Sequence, residues 1–156
     1  MRVSLNRADR RAPGWIDRAW TARVRRAAAL LAPAEASINV VIVDDRVIRR
    51  LNRRYRGKDR PTDVLSFSYR KPGKRVTAAD TIGDVVVSHQ TLARDARRLG
   101  VETRDLAVRI VVHGFLHVLG YDHEDDAGAA RMERRERFVL KQVLPARAVR
   151  ELFPGR

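Results

Sequence analysis

Three of the chain's four histidines fall within eleven residues, His113-Gly-Phe-Leu-His117-Val-Leu-Gly120-Tyr-Asp-His123. His113 and His117 are four apart in an apolar run from Leu106 to Leu119, so in a helix their imidazoles project from one face. Gly120, just past that run, permits the left-handed backbone that ends a helix and turns the chain, which returns His123 toward the same point. Three neutral imidazoles with a fourth position left open is the catalytic pattern for zinc, at about 2.0–2.1 Å per nitrogen, and Asp122 is the one other candidate ligand nearby. Zinc lowers the pKa of a bound water to about 7 and polarises a carbonyl or phosphoryl oxygen, so the expected chemistry is hydrolysis.

The opposing reading packs His113 and His117 as ordinary core residues and leaves His123 in an unrelated turn. Three histidines in so short a stretch, with a glycine break at Gly120, favour the metal. The spacing equals that of metzincin proteases, where a glutamate after the first histidine serves as general base. Here that position is Gly114, which cannot take a proton. A zinc cradle of this shape is therefore expected to serve a different bond.

The elements that must position these groups are those of one domain, 1–156. With 156 residues and 44% hydrophobic content the chain builds one core and not two. It has no cysteine, which excludes a disulfide framework and thiolate metal sites. There is no apolar leader at the N-terminus and no run of about 18 apolar residues, so a cytoplasmic protein without a membrane partner is expected. Lys and Arg number 33 against 19 acids, a net charge of +14. That field attracts polyanions, and nucleic acid is the abundant one. Because 29 of the 33 cations are arginine, a biased genome is a competing source of the charge.

Residues 2–6 alternate as a short strand. Trp15 to Leu31 has a helical stripe ended by Pro33, and Ser37 to Val43 reads as a strand buried on both faces. Asp44-Asp45 cap a helix that leads into a basic segment, with eight cations between Arg46 and Arg60 against the single Asp59. Like charges at that density repel unless an anion visits, so phosphate contact is expected there. Thr62 to Tyr69 and Ile82 to Ser88 read as partner strands joined by a basic loop containing Pro72 and Gly73. Ser88 caps a helix ended by Gly100, Thr103 caps the helix carrying His113 and His117, and Glu124-Asp125-Asp126 precede a last helix from Ala127 to Leu144. The pattern assigns no element to the tail from about 145. His89, away from the cluster, reads as a surface or capping residue.

The histidine stretch resembles the signature of the YbeY family of bacterial rRNA maturation factors, metal-dependent endoribonucleases. Leu51-Asn-Arg-Arg-Tyr-Arg-Gly-Lys-Asp-Arg-Pro-Thr-Asp-Val-Leu-Ser-Phe67 is similar to that family's other characteristic segment, and Ile82-Gly-Asp-Val-Val-Val-Ser88 to its following strand. Met132 and Glu136 suit the family's last helix, so the resemblance spans about 38–144.

It implies an α+β domain: a small mixed sheet packed with about five helices, one Zn2+ per chain on His113, His117 and His123 at the end of a central helix, and activity in maturing rRNA, notably the small-subunit 3′ end, and in ribosome quality control. Arg56 matches the arginine tied to the family's activity, and a guanidinium there could clamp a phosphate oxygen bidentately. Asn52, Arg53, Lys58, Thr62 and Ser66 are candidate substrate-binding residues. The implied partners are single-stranded RNA, the small ribosomal subunit and a ribosomal protein or assembly GTPase, with no DNA. Direct attack by hydroxide and attack by the ribose 2′-OH both remain open, as do a ribosome-assembly role with structural zinc and a metallohydrolase of another substrate. Ser68, where relatives often carry proline, is expected to loosen the strand end.

Overall fold

The computed structural model describes residues 1–8, 13–32, 36–69, 80–122 and 125–155. Four strands form one sheet in the order β1-β2-β4-β3. β1 (Arg2–Arg7), β2 (Ser37–Val43) and β4 (Thr81–Ser88) run parallel, and β3 (Val64–Ser68) lies antiparallel on β4, pairing Val64 with Val87 and Ser68 with Gly83. The expected partner strands are thus neighbours in the sheet. The basic loop between them falls at 70–79, outside the described residues. No helix is long and apolar enough to cross a membrane among the described residues.

Among the described residues six helices pack with the sheet: α1 (Arg18–Leu31), α2 (Asp45–Arg56), α3 (His89–Leu99), α4 (Thr103–Val118), α5 (Asp126–Val143) and α6 (Ala146–Leu152). The sixth occupies the tail, to which the sequence pattern assigned no element. Seven residues are too few to show a period, and what holds α6 is the burial of Ala148, Val149 and Leu152 against the core.

α4 is the centre of the fold. Its apolar residues point all round, so it must be enclosed: Leu106, Val108, Val111, Val112, Phe115, Leu116 and Val118 are all buried. They join Trp20 and Val24 of α1, Ile38, Val40 and Ile42 of β2, Val85 and Val87 of β4, and Val139 and Leu140 of α5 in the main core. A second, smaller core on the opposite face of the sheet joins Val43, Leu65 and Val86 to Ile48 of α2. β2 therefore alternates: Ile38, Val40 and Ile42 are fully buried, whereas Ser37, Asn39 and Val41 are only partly covered. The expectation of a strand buried on both faces holds only near Val43, because α2 shields no more of that face.

Local chemistry sets most helix ends. Asp44, Ser88 and Asp125 each accept from the backbone N–H of the third residue of the following helix, satisfying donors that the helix cannot. Gly57 and Gly100 close α2 and α3 at φ of 69° and 68°, the left-handed region that glycine tolerates. Thr103 is not the cap of α4. Glu102 holds the extended cap conformation, and its carbonyl receives Leu106 N–H at 3.0 Å, so Thr103 is already helical.

Candidate active site

α4 ends at the site. Leu119 N–H returns to Phe115 O at 3.0 Å, and Gly120 then takes φ of 93°, breaking the helix where the sequence placed the stop. His113 and His117 share a face, with ring centroids 4.7 Å apart and Nε2 atoms 3.1 Å apart. The turn after Gly120 brings Tyr121 O within 3.1 Å of His117 Nδ1. An Nδ1–H donated to that carbonyl leaves the lone pair on Nε2, facing His113. Behind His113, Nδ1 lies 3.7 Å from Oε1 of Glu136, a carboxylate on α5 that is only 4% exposed. His123 lies outside the described residues.

The height of α4 over the sheet is fixed by Gly114. A Cβ there would stand 2.6 Å from Val85 Cγ1 and 3.1 Å from Ser66 Oγ, so the helix can approach β3 and β4 this closely only as glycine. That contact places His113 beside Ser66. Ser68 adds a tie at the same end: its hydroxyl donates to Val118 O at 3.1 Å. The serine expected to loosen the strand end instead fastens β3 to the last residue of α4, a bond that a proline could not make.

These groups line one cleft of about 1080 Å³. His113 and His117 form one side with Tyr121 and Asp122. Arg56, Lys58, Arg60 and Thr62 contribute a second wall from the end of α2 and the loop after it, and Arg98 of α3 also lines the cleft. The second wall begins where Gly57 ends α2. Asn52 is 5% exposed, and its Nδ2–H donates to Arg60 O at 2.8 Å, so it folds the loop over the helix end. Thr62 Oγ1 donates to Asp63 Oδ1 at 3.1 Å, and Asp63 Oδ1 also receives Val64 N–H at 2.8 Å, which starts β3. Arg49 is held by a two-point ion pair to Asp59, at 2.9 and 3.0 Å.

Of the residues singled out in the sequence, the cleft unites Arg56, Asn52, Lys58, Thr62, Ser66, His113 and His117. Arg53 is exposed and does not line it: one residue beyond Asn52, it points about 100° round the helix. Arg60 was read only as part of the basic segment expected to meet phosphate, and Arg98 and Glu136 were not read as members of the site. For Glu136 a signal existed, since a lone acid sits among Met132, Val139 and Leu140 on the buried stripe of α5.

Fold and site together define a hydrolase-like cleft with a histidine pair on one side and cations on the other. The model of the endoribonuclease YbeY family matches residues 9–144. The chain is 43% identical over 110 residues to endoribonuclease YbeY of Methylocella silvestris, covering 70% of this chain and 61% of the relative. It is 47% identical over 116 residues to that of Moorella thermoacetica, covering 70% of this chain and 74% of the relative. The solution structure of a Thermotoga maritima protein superposes with a TM-score of 0.62 over 99% of this chain and 98% of the other, at 24% identity, a likeness of fold. The chain belongs to the YbeY family of endoribonucleases.

Proposed function

We propose that this endoribonuclease cuts single-stranded RNA in a zinc-dependent reaction, with His113, His117 and His123 as the ligands. The observation that carries the reading is the facing pair of ring nitrogens. Two nitrogens sharing one tetrahedral zinc stand about 3.3 Å apart. The observed 3.1 Å is close to that, and with each Nδ1–H turned to the oxygen behind it the two Nε2 lone pairs would converge on one point. Each ring also has an oxygen behind its Nδ1, the arrangement that sets a ligating histidine's tautomer. When bound, zinc would supply a Lewis acid for a phosphoryl oxygen and an acidified water.

The chain's own residues do the rest. Arg56, Lys58 and Arg60 line the same cleft as the histidines, so a phosphate held there would meet guanidinium and ammonium donors. Arg56 is assigned the clamp on the charge that builds on phosphorus during attack. A peptide substrate is disfavoured by Gly114, since the glutamate base of a zinc protease has no room where a single Cβ already meets Val85 at 2.6 Å.

The cellular role proposed is rRNA maturation, notably at the small-subunit 3′ end, and ribosome quality control, with the small subunit and a ribosomal protein or assembly GTPase as partners and the cytoplasm as the location. It rests on the family and on the +14 charge. The test is one preparation carried through three measurements: zinc per chain, cleavage of an rRNA 3′ fragment before and after chelation, and rRNA ends sequenced from cells lacking the protein. About one zinc per chain, cleavage lost on chelation and extended 3′ ends are expected. Cleavage that survives complete metal removal overturns the zinc reading, and unaltered rRNA ends overturn the cellular role.

A further inference from the structure

Glu136 is the buried charge that the proposed reaction leaves unused. It is 4% exposed, and its Oε1 accepts no hydrogen bond among the described residues. Burying a carboxylate oxygen without a donor is costly, so its surroundings should show what it is for. Two groups face it, both from one side of α4: His113 Nδ1 at 3.7 Å and Arg109 Nε at 3.6 Å. Arg109 and His113 are four apart, so they stand one above the other on that helix.

Arg109 is in turn held from the other side. Its Nη1 donates to Leu152 O at 2.6 Å, and its guanidinium lies 4.1 Å from the centre of the Phe153 ring. Arg137 covers the same ring at 4.8 Å. Leu152 and Phe153 are buried, at 4% and 7% exposure, so the end of α6 is a fixed wall. This tail lies beyond the residues that the family model matches, 9–144.

We propose that Glu136 is a positioning residue that receives the Nδ1–H of His113, and that Arg109, clamped by Leu152 and Phe153, holds the carboxylate in place. The inference deepens the zinc reading and rests on it. An Nδ1–H turned to Glu136 puts the lone pair of His113 on Nε2, the atom that faces His117. His117 receives the same treatment from a backbone carbonyl, Tyr121 O. The two rings are therefore oriented by unlike means: one by the turn after Gly120, the other by a carboxylate whose own anchor is the C-terminal helix. Arg109 balances the carboxylate's charge. Because its guanidinium is occupied on the far side by Leu152 O, Arg109 is not drawn fully onto Glu136, and Oε1, which both groups face, stays within reach of the imidazole.

The test begins with the metal-free wild-type protein, folded as judged by circular dichroism, with its imidazole nitrogens observed by 15N NMR. His113 should be the Nδ1–H tautomer, and in Glu136→Gln the balance between tautomers should shift. Zinc affinity is then measured by competition with a chromophoric chelator. Loss of an outer partner of a ligating histidine typically lowers affinity about 10- to 100-fold. Glu136→Gln should fall in that range and Phe153→Ala, which loosens the clamp together with some core packing, should fall less, both judged on folded protein.

An Nε2–H tautomer of His113 in the wild type, or unchanged zinc affinity in a folded Glu136→Gln, overturns the proposal. If wild-type protein binds no zinc, the metal reading fails by itself, and the tautomer still decides whether Glu136 orients His113. Should Glu136→Gln not fold, the wild-type tautomer and Phe153→Ala decide it.

Discussion

The two walls of the cleft are built on different principles. The histidine wall belongs to a largely buried helix, with its ring nitrogens backed by protein oxygens and its height over the sheet set by Gly114. The arginine wall is an exposed helix end and a loop, in which Arg56, Lys58 and Arg60 all face solvent. Fixed geometry is what a metal or a reacting atom requires, because small misplacements there cost large factors in rate. Exposed cations on long side chains suit a flexible polyanion, whose attraction is long-ranged and weakened by salt. On the proposed function the cleft would separate chemistry from capture, and each wall should then be open to disabling without the other.

The largest effects should come from the buried wall. His117→Ala should abolish stoichiometric zinc and RNA cleavage while leaving RNA affinity nearly intact, as read by metal analysis and a gel-shift titration. Parallel loss of RNA binding would show that the walls are not separate. Gly114→Ala should destabilise the fold by about 1–3 kcal/mol, the usual cost of overpacking a core, because the new methyl has nowhere to go but into Val85. Thermal unfolding reads the loss, and a Tm unchanged from wild type would mean that α4 can lift from the sheet at little cost.

Next in size is Arg56→Ala. Removing one donor to developing charge typically lowers kcat about 10²- to 10³-fold, and here zinc content should be unchanged. A change confined to KM would make Arg56 part of capture and not of chemistry. Smaller still is the effect of Lys58→Ala with Arg60→Ala. Every phosphate that these cations cease to neutralise on a single strand should flatten the log–log salt dependence of RNA binding by about 0.7, with the rate of bound substrate little altered. An unchanged slope would take both residues out of the capture wall.

The same contrast explains what could be read in advance. The ends of α3 were legible because Ser88 and Gly100 act within four residues of themselves, through one side-chain acceptor and one left-handed backbone. The shared face of His113 and His117 was legible because a spacing of four residues suffices. Glu136 was only half legible: its place on the buried stripe of α5 could be read, but a charged residue on a helix is ordinarily taken for the solvent side, and its approach to His113 is a tertiary contact. α6 was not legible, because its seven residues are held by Arg109 from 43 positions away. Ser68 was read from its neighbours in the strand, whereas its partner is Val118 across the site.

The last effect falls on stability alone and concerns the joint that carries the arginine wall. Asp45, at the start of α2, accepts from Ser88 Oγ at 2.6 Å and Thr91 Oγ1 at 2.7 Å and pairs with Arg94 at 2.7 Å, so α2 and α3 meet on one carboxylate. Desolvation pushes its pKa up, but the hydrogen bonds from Arg94, Ser88 and Thr91 together outweigh it and leave the group below the ordinary aspartate value of 3.8. A folded-state pKa below the unfolded one gives stability that is fully present above the unfolded value and is lost as pH falls through the folded one. Asp45→Asn should therefore cost about 2 kcal/mol at neutral pH, the scale of charge-assisted hydrogen bonds, and progressively less below about pH 4. Denaturant titrations of both proteins at neutral and acid pH measure the difference. A cost that stays constant into acid would mean that the joint depends on the shape of the side chain and not on its charge, and that the capture wall is seated by packing, as the histidine wall is.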